Sequence, residues 1–579
     1  MFKKINYVLT RKQKMNFMIL VVLTLMGSMF ELLGVSLIVT YVEALMSPES
    51  LLEIGILKAM YDVLKLSSIT EFIIALTIMI ILIYIIKNIF LFGMVNIHYR
   101  YVYNNKRRVM VRLMNCYLRQ PYLFHISMNS ADLIRNINSD TVMFFDTLSQ
   151  ILHVVTDASM VLVIFFFLLS QDIFMTLVLA VLMIIFAAII TKVCRKRSKE
   201  YGKRFRILLS DLNKWILQAF GGIKEVKIMN KENYFLKGYD RTRREDVYIG
   251  THMRMYENLP KYLLETVCVG GMLGVVAVKV YSGVDLQTFI PVISAFAVAA
   301  FKIMPTLSRM TAAFNTISYN RTALDKVYED LKNAEVYEAE QKAEIAVEKE
   351  DIYFKKELTI KDVSFKYPNT EKYVLNNINI VIPKNKSVAL IGPSGGGKTT
   401  LADVILGILP LEEGQVLTDG KDIRKNILQW YSKIGYIPQA IYLTDDTIRR
   451  NIAFGVDDKD IDEEQVLNAL KKAQLYDFVM GLEKGLDTEI GERGVRISGG
   501  QRQRIGIARA LYTEPDILIL DEATSALDND TENAVMEAID GLAGSKTILI
   551  IAHRLSTIKN CDYVYKVSEG SAELTEVVL

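Results

Sequence analysis

Long apolar runs alternate with shorter polar stretches over the first 320 residues, and the remainder of the chain loses that pattern. Six apolar segments stand out, near residues 16–46, 71–97, 141–169, 173–193, 259–281 and 289–318. Each reaches the roughly 20 residues that a helix needs to cross the hydrocarbon core of a bilayer. Several are longer, so their helices are expected to continue into water. The polar stretches are unequal. Those near 98–140 and 194–258 are long and basic, with Lys106, Arg107 and Arg108 in one and Arg195, Lys196 and Arg197 in the other. Those from Ser170 to Asp172 and from Ser282 to Leu286 are short and carry no Lys or Arg. The positive-inside rule then puts the long basic loops, the N-terminus and everything after the sixth span in the cytosol. The start, Met1 to Asn16, is basic and lacks a small-residue cleavage site after the first apolar run, so that run reads as a retained span. Leu51 to Leu66 has helical apolar spacing but is too short to span, and is expected as an interfacial or packing helix. Leu212 to Asp240 reads as helix, break, helix, with Gly221 and Gly222 at the break.

From Asn320 to Lys356 the chain turns strongly charged. The expected division is a six-helix membrane domain over 1–320, a charged linker over 321–345 and a soluble domain over 346–579. A chain of 579 residues is in any case too long for one core. In the last part short apolar strands (358–365, 387–391, 434–439, 517–520 and 548–552) alternate with turns and amphipathic stretches, a sign of an α/β domain. The net charge of +3 does not suggest nucleic-acid binding. The four cysteines lie far apart with no CxxC pair, which argues against a zinc site or a disulfide framework.

Chemistry concentrates in three places of the soluble part. Strand 387–391 runs into Gly392, Pro393, Ser394, Gly395, Gly396, Gly397, Lys398 and Thr399, with Thr400 following. A strand, GxxxxGK[ST] and a helix together form a phosphate-binding loop. Its glycines let backbone N–H groups turn inward on a β-phosphate, Lys398 neutralises β/γ oxygens and Thr399 offers a hydroxyl to Mg²⁺. A second glycine pair, in Ser498, Gly499, Gly500 and Gln501, opens an amphipathic helix and makes another anion site. The apolar strand Ile517 to Leu520 ends in Asp521, a Mg²⁺ ligand, and Glu522, a general base for an attacking water.

This combination resembles the nucleotide-binding domain of ATP-binding-cassette (ABC) transporters. The resemblance implies that Tyr367 stacks on adenine, that Gln439 touches Mg²⁺ and water, that His553 senses the γ-phosphate and that Asp528 couples two sites. It also implies that Ser498 and Gly500 of one copy cap the γ-phosphate bound by another. One phosphate loop and one signature per chain then imply a homodimer with two equivalent ATP sites. Ile497 stands where Leu is usual, a swap of similar volume. A membrane domain fused to this ATPase looks like the exporter type. There, short helices of the cytosolic loops seat in the ATPase domain, and the same is expected here.

Ionisable groups at membrane depth are costly and ask for a partner or a function. Glu31 lies inside the first span, Lys87 in the second, Lys261 at the start of the fifth, and Lys302 and Arg309 seven residues apart in the sixth. They read either as a cationic cavity for an anionic substrate group or as internal ion pairs, such as Glu31 with Lys87. Phe30 to Ser36, Gly221 to Val226, Ser294 to Phe296 and Phe301 to Pro305 look like the lipid-linked oligosaccharide flippases of bacterial protein N-glycosylation (the PglK type). In that family basic residues are thought to meet a lipid pyrophosphate. Lys87, Lys261 and Lys302 fall near the matching places, with Lys where Arg is typical. Lys attracts a diphosphate as a point charge but lacks the bidentate fork. The expectation is an ATP-driven flippase of an anionic lipid-linked substrate in the cytoplasmic membrane. A peptide or drug exporter on the same scaffold and an ATP-gated regulator that moves no cargo are the alternatives.

Overall fold

The apolar runs form helices that outgrow the runs themselves. The computed structural model describes residues 1–46, 61, 68–283, 286–346, 350–368, 370–491, 494–522, 529–552 and 558–575. Their contacts divide the chain into two units: Met1–Gln120 with His125–Tyr337, and Pro121–Phe124 with Glu338–Leu579. Leu51–Leu66, expected as a short helix, lies outside the described residues apart from Tyr61.

The helices before the soluble domain are α1 (Phe2–Val8), α2 (Arg11–Met46), α3 (Ile69–Leu118), α4 (Tyr122–Ser127), α5 (Ser130–Arg135), α6 (Thr141–Gln171), α7 (Ile173–Gly221), α8 (Ile223–Ile228), α9 (Glu232–Tyr281), α10 (Leu286–Tyr319) and α11 (Arg321–Ala346). Among the described residues six stretches, carried by α2, α3, α5–α6, α7, α9 and α10, are long and apolar enough to cross a membrane. Helices α3, α7 and α9 run for 50, 49 and 50 residues. At about 1.5 Å per residue they are more than twice the thickness of a bilayer core. Large apolar side chains such as Phe92, Phe166 and Ile184 stay exposed on this unit, as a lipid-facing surface requires. The breaks have local causes. Ser68 accepts from the N–H of Glu71 to start α3, and Asp172 accepts from that of Met175 at 2.8 Å to start α7. Gly221 ends α7 and α8 begins after Gly222.

The bundle is held by packing of α6, α7, α9 and α10, through Met160, Ile164, Met175, Val275 and Phe296 among others. Helices α7 and α10 touch backbone to backbone at Gly202, where a Cβ would overlap the carbonyl of Tyr319. Nearer the ends of the long helices, one turn of π-helix (Asn136–Asp140) carries the fully buried Asp140. Arg206 donates to that carboxylate at 2.8 Å, and Arg135 lies 3.7 Å away.

The second unit holds two sheets. β1 (Glu357–Phe365), β2 (Leu375–Pro383), β4 (Glu413–Thr418) and β5 (Lys421–Asp422) form an antiparallel sheet in the order β2-β1-β4-β5. The larger sheet has the order β10-β9-β3-β8-β7-β6, from β3 (Ser387–Ile391), β6 (Ile434–Ile437), β7 (Ile517–Asp521), β8 (Thr547–Ile551), β9 (Tyr563–Ser568) and β10 (Ser571–Thr575). Its members are parallel except the edge strand β10. Strands β7 and β8 are buried along their whole length, which is why they read as unbroken apolar runs. The longer helices of the unit among the described residues are α12 (Lys398–Leu406), α13 (Glu463–Lys472), α14 (Gly499–Tyr512) and α15 (Asn529–Asp540). The loops after β3, β6 and β7 leave from the same edge of the sheet, the edge where parallel α/β sheets bind ligands.

Candidate functional site

The phosphate loop is built on strained backbone that only glycine tolerates. Gly392, Gly395 and Gly397 have φ of 145°, 78° and 101°. At Gly392 a Cβ would overlap the carbonyl of Val567 on β9, so the loop presses against the sheet there. Lys398 is 4% exposed, and its Nζ donates to the carbonyls of Gly392 and Pro393 at 2.9 and 3.0 Å. Burial lowers its pKa, while the nearby Glu522 and Asp521 carboxylates act the other way. An ammonium held inside a ring of backbone dipoles suits a phosphate tail. Thr400, one turn into α12, is 3.2 Å from the Tyr367 hydroxyl, and the Tyr367 ring packs edge-on against Phe365. Tyr367 is thereby tied to the helix that the loop opens.

Asp521 ends β7 and is 5% exposed. Glu522 follows with φ of 49°, outside the ordinary region for a non-glycine residue, and its N–H donates to the carbonyl of Ile551 on β8 at 3.1 Å. The twist costs on the order of 1–2 kcal/mol. It turns the Glu522 side chain toward β6, where Gln439 Nε2 donates to its Oε2 at 2.7 Å. The Thr399 hydroxyl, the Asp521 carboxylate and the Gln439 amide oxygen are donors of the hard kind that would suit Mg²⁺. Among the described residues no cluster of three or more His, Cys, Asp or Glu could hold a metal ion. Asp403, on α12, was not read from sequence. Burial and the Asp521 charge push its pKa up to about 6.

Ser498 caps α14 through a reciprocal pair: its hydroxyl accepts from the N–H of Gln501 at 3.2 Å, and the Gln501 amide oxygen accepts from the N–H of Ser498 at 2.8 Å. Gly499 and Gly500 form the first turn. Among the described residues no hydrogen bond joins this helix start to the phosphate loop. Asp528 and His553 lie outside the described residues.

In the membrane unit the isolated charges meet. Glu31 Oε2 accepts from Lys87 Nζ and from Lys302 Nζ, both at 3.0 Å. Lys87 is 3% exposed and its ammonium lies over the ring of Tyr84, 4.6 Å from the centroid. Lys302 is 38% exposed. Arg309 makes a two-pronged contact with Asp157, Nη2 at 2.8 Å and Nε at 3.3 Å. Sequence reasoning missed Asp157, although an acid inside the third apolar run carries the same signal as Glu31. Lys261 and Arg309 line a cavity of about 840 Å³ that also holds Asp146, Glu257 and Glu265. Both readings of these charges therefore have a counterpart in the geometry, and Glu31 and Asp157 offset two of the four cations.

The chain matches the family model described as ABC transporter over residues 375–525 and that described as ABC transporter transmembrane region over residues 33–247. It is 36% identical to an ATP-dependent lipid A-core flippase of Desulfotalea psychrophila, over 64% of this chain and 65% of that protein. It is 33% identical to the protein of the same name from Escherichia coli K12, over 68% and 67%. With the Salmonella typhimurium protein of that name identity is 31% over 79% and 78%. The match thus spans about two thirds of the first two relatives. A bacterial Atm1-family ABC exporter with ATP bound has the same fold, with a TM-score of 0.76, 20% identity and coverage of 98% and 95%. The likeness to PglK-type flippases is by comparison only approximate. The chain belongs to the ABC transporters of exporter type, in which a multi-pass membrane domain is fused to a cytosolic domain that binds ATP and hydrolyses it to drive transport.

Proposed function

We propose that the protein is a homodimeric flippase that moves a polyprenyl-diphosphate-linked oligosaccharide, or a related anionic lipid, across the cytoplasmic membrane. The 1–320, 321–345 and 346–579 division serves as its working plan. In each ATP site Tyr367 meets the adenine, and residues 392–400 hold the phosphates. Thr399, Asp521 and Gln439 carry Mg²⁺, and Glu522 orients the water. Ser498 to Gln501 of the partner copy, with Asp528, close the site, and His553 reads the γ-phosphate. The observation that supports the lipid reading is the set of cations at membrane depth: Lys302 and Arg309 are paired with Glu31 and Asp157 but partly exposed, Lys261 lines the same cavity as Arg309, and Lys87 is buried behind Glu31. A buried cation persists only where a counter-charge meets it, inside the fold or on a ligand. The curated relatives favour a second reading, in which lipid A-core is the cargo.

Reconstituted in liposomes, the protein should show ATPase stimulation and ATP-dependent movement with a polyprenyl-diphosphate oligosaccharide. Lys302→Ala should abolish both, leaving basal hydrolysis and folding intact. Stimulation by lipid A-core, a peptide or a hydrophobic drug alone would remove the diphosphate reading.

A further inference from the structure

One carboxylate oxygen serves two ammonium groups in this bundle, and the two are not equivalent. Lys87 is enclosed: its Nζ touches Glu31, sits over the Tyr84 ring, and would lie 3.1 Å from any Cβ added at Gly34. Tyr84 is fixed in turn, since its hydroxyl donates to the carbonyl of Gly34 at 2.8 Å. Lys302 is held to the same Oε2 at the same 3.0 Å, yet it is more than a third exposed. It can leave without opening the core, whereas Lys87 cannot.

We infer that Glu31 is a built-in stand-in for the cargo's diphosphate. This inference rests on the diphosphate reading above. In the empty transporter the Glu31 carboxylate occupies the position that the headgroup would take beside Lys302. When a diphosphate arrives, Lys302 transfers to it, and Glu31 remains neutralised by Lys87. Two lysines with no acid between them would hold a multiply charged anion tightly and release it slowly. A carboxylate that competes for one of them weakens binding and draws Lys302 back as the cargo departs. Movement through a pathway needs such a balance, since a site must be weak enough to empty. Glu31 is thus a specificity-determining residue. Its repulsion grows with the charge of the ligand, so Glu31 holds down the affinity for a diphosphate lipid more than that for a monophosphate lipid.

The test uses the full-length protein in liposomes of neutral phospholipid, with a polyprenyl diphosphate as probe and a polyprenyl monophosphate as comparison. Glu31→Gln should lower the diphosphate concentration for half-maximal ATPase stimulation about tenfold. It should also reduce the maximal transport rate, and it should widen the difference between diphosphate and monophosphate, because the more highly charged ligand gains more from the loss of the carboxylate charge. In a Lys302→Met background the Glu31→Gln effect on affinity should vanish. Glu31→Asp keeps the charge with a shorter reach and should fall between wild type and Glu31→Gln, which covers the case of a Gln variant that does not fold. An unchanged or weaker diphosphate affinity in Glu31→Gln, or in Glu31→Asp where the Gln variant is lost, would overturn the stand-in role while leaving the diphosphate reading in place. Wild-type protein that ignores the diphosphate lipid at every concentration would instead remove the reading itself.

Discussion

At the scale of single residues, Glu522 and Asp403 show two ways in which a carboxylate is set by its surroundings. Glu522 sits on a left-handed backbone at the end of a buried strand and is held by Gln439, so its direction is set by the protein's own contacts. Glu522→Gln keeps the shape and removes the carboxylate proposed as the base. ATP binding should be retained while hydrolysis falls by about 10²-fold or more, measured as nucleotide retention against phosphate release. Asp403 is buried beside Asp521, and its pKa is raised to about 6. The folded domain therefore holds this proton more tightly than the unfolded chain does. Its contribution to stability is full below about pH 4 and is lost as pH rises through about 6. Asp403→Asn should raise the free energy of unfolding at pH 8 by about 1–2 kcal/mol, seen as a higher melting temperature, and change little at pH 4. An equal shift at both pH values would mean that packing, not ionisation, is responsible.

At the scale of elements, the membrane bundle depends on how closely its helices approach. Gly202 lets α7 lie against the backbone of α10, so Gly202→Ala must push the two apart. A loss of about 1–3 kcal/mol is expected, as for other overpacked contacts. Gly250 of α9 is open: a methyl added there would have no neighbour within 4 Å, and Gly250→Ala should be neutral or gain about 0.5–1 kcal/mol from helix propensity. Thermal unfolding of both variants in detergent separates crowding from propensity. Neither role is visible in the order of residues, because both glycines simply interrupt long helical stretches. The same holds for the π-helical turn at Asn136–Asp140, whose buried ion pairs with Arg206 join segments far apart in the chain.

At the scale of the whole molecule, the proposed dimer makes each ATP site a joint product of two copies. A Lys398→Ala chain lacks a working phosphate loop but keeps its signature; a Ser498→Arg chain has the reverse defect. Each alone should be inactive, and mixing them before assembly should restore ATPase activity to roughly a quarter of wild type, since half of the random pairs hold one intact site. No recovery on mixing would argue that the site is completed within one chain.

The order of amino acids was enough for the six spans, the α/β domain and the phosphate loop, because each depends on local spacing: about 20 apolar residues for a span, and glycines at positions that must turn. It was enough, too, for suspecting charges at membrane depth, because a lone ionisable residue in an apolar run is costly wherever it points. Only the tertiary structure decided which charges meet. Lys87, Lys302 and Glu31 come from three different helices, and Asp157 reaches Arg309 across 152 residues of sequence. Helix periodicity gives the face on which such a side chain lies, whereas the partner across the bundle is chosen by how the helices pack, which no local pattern encodes.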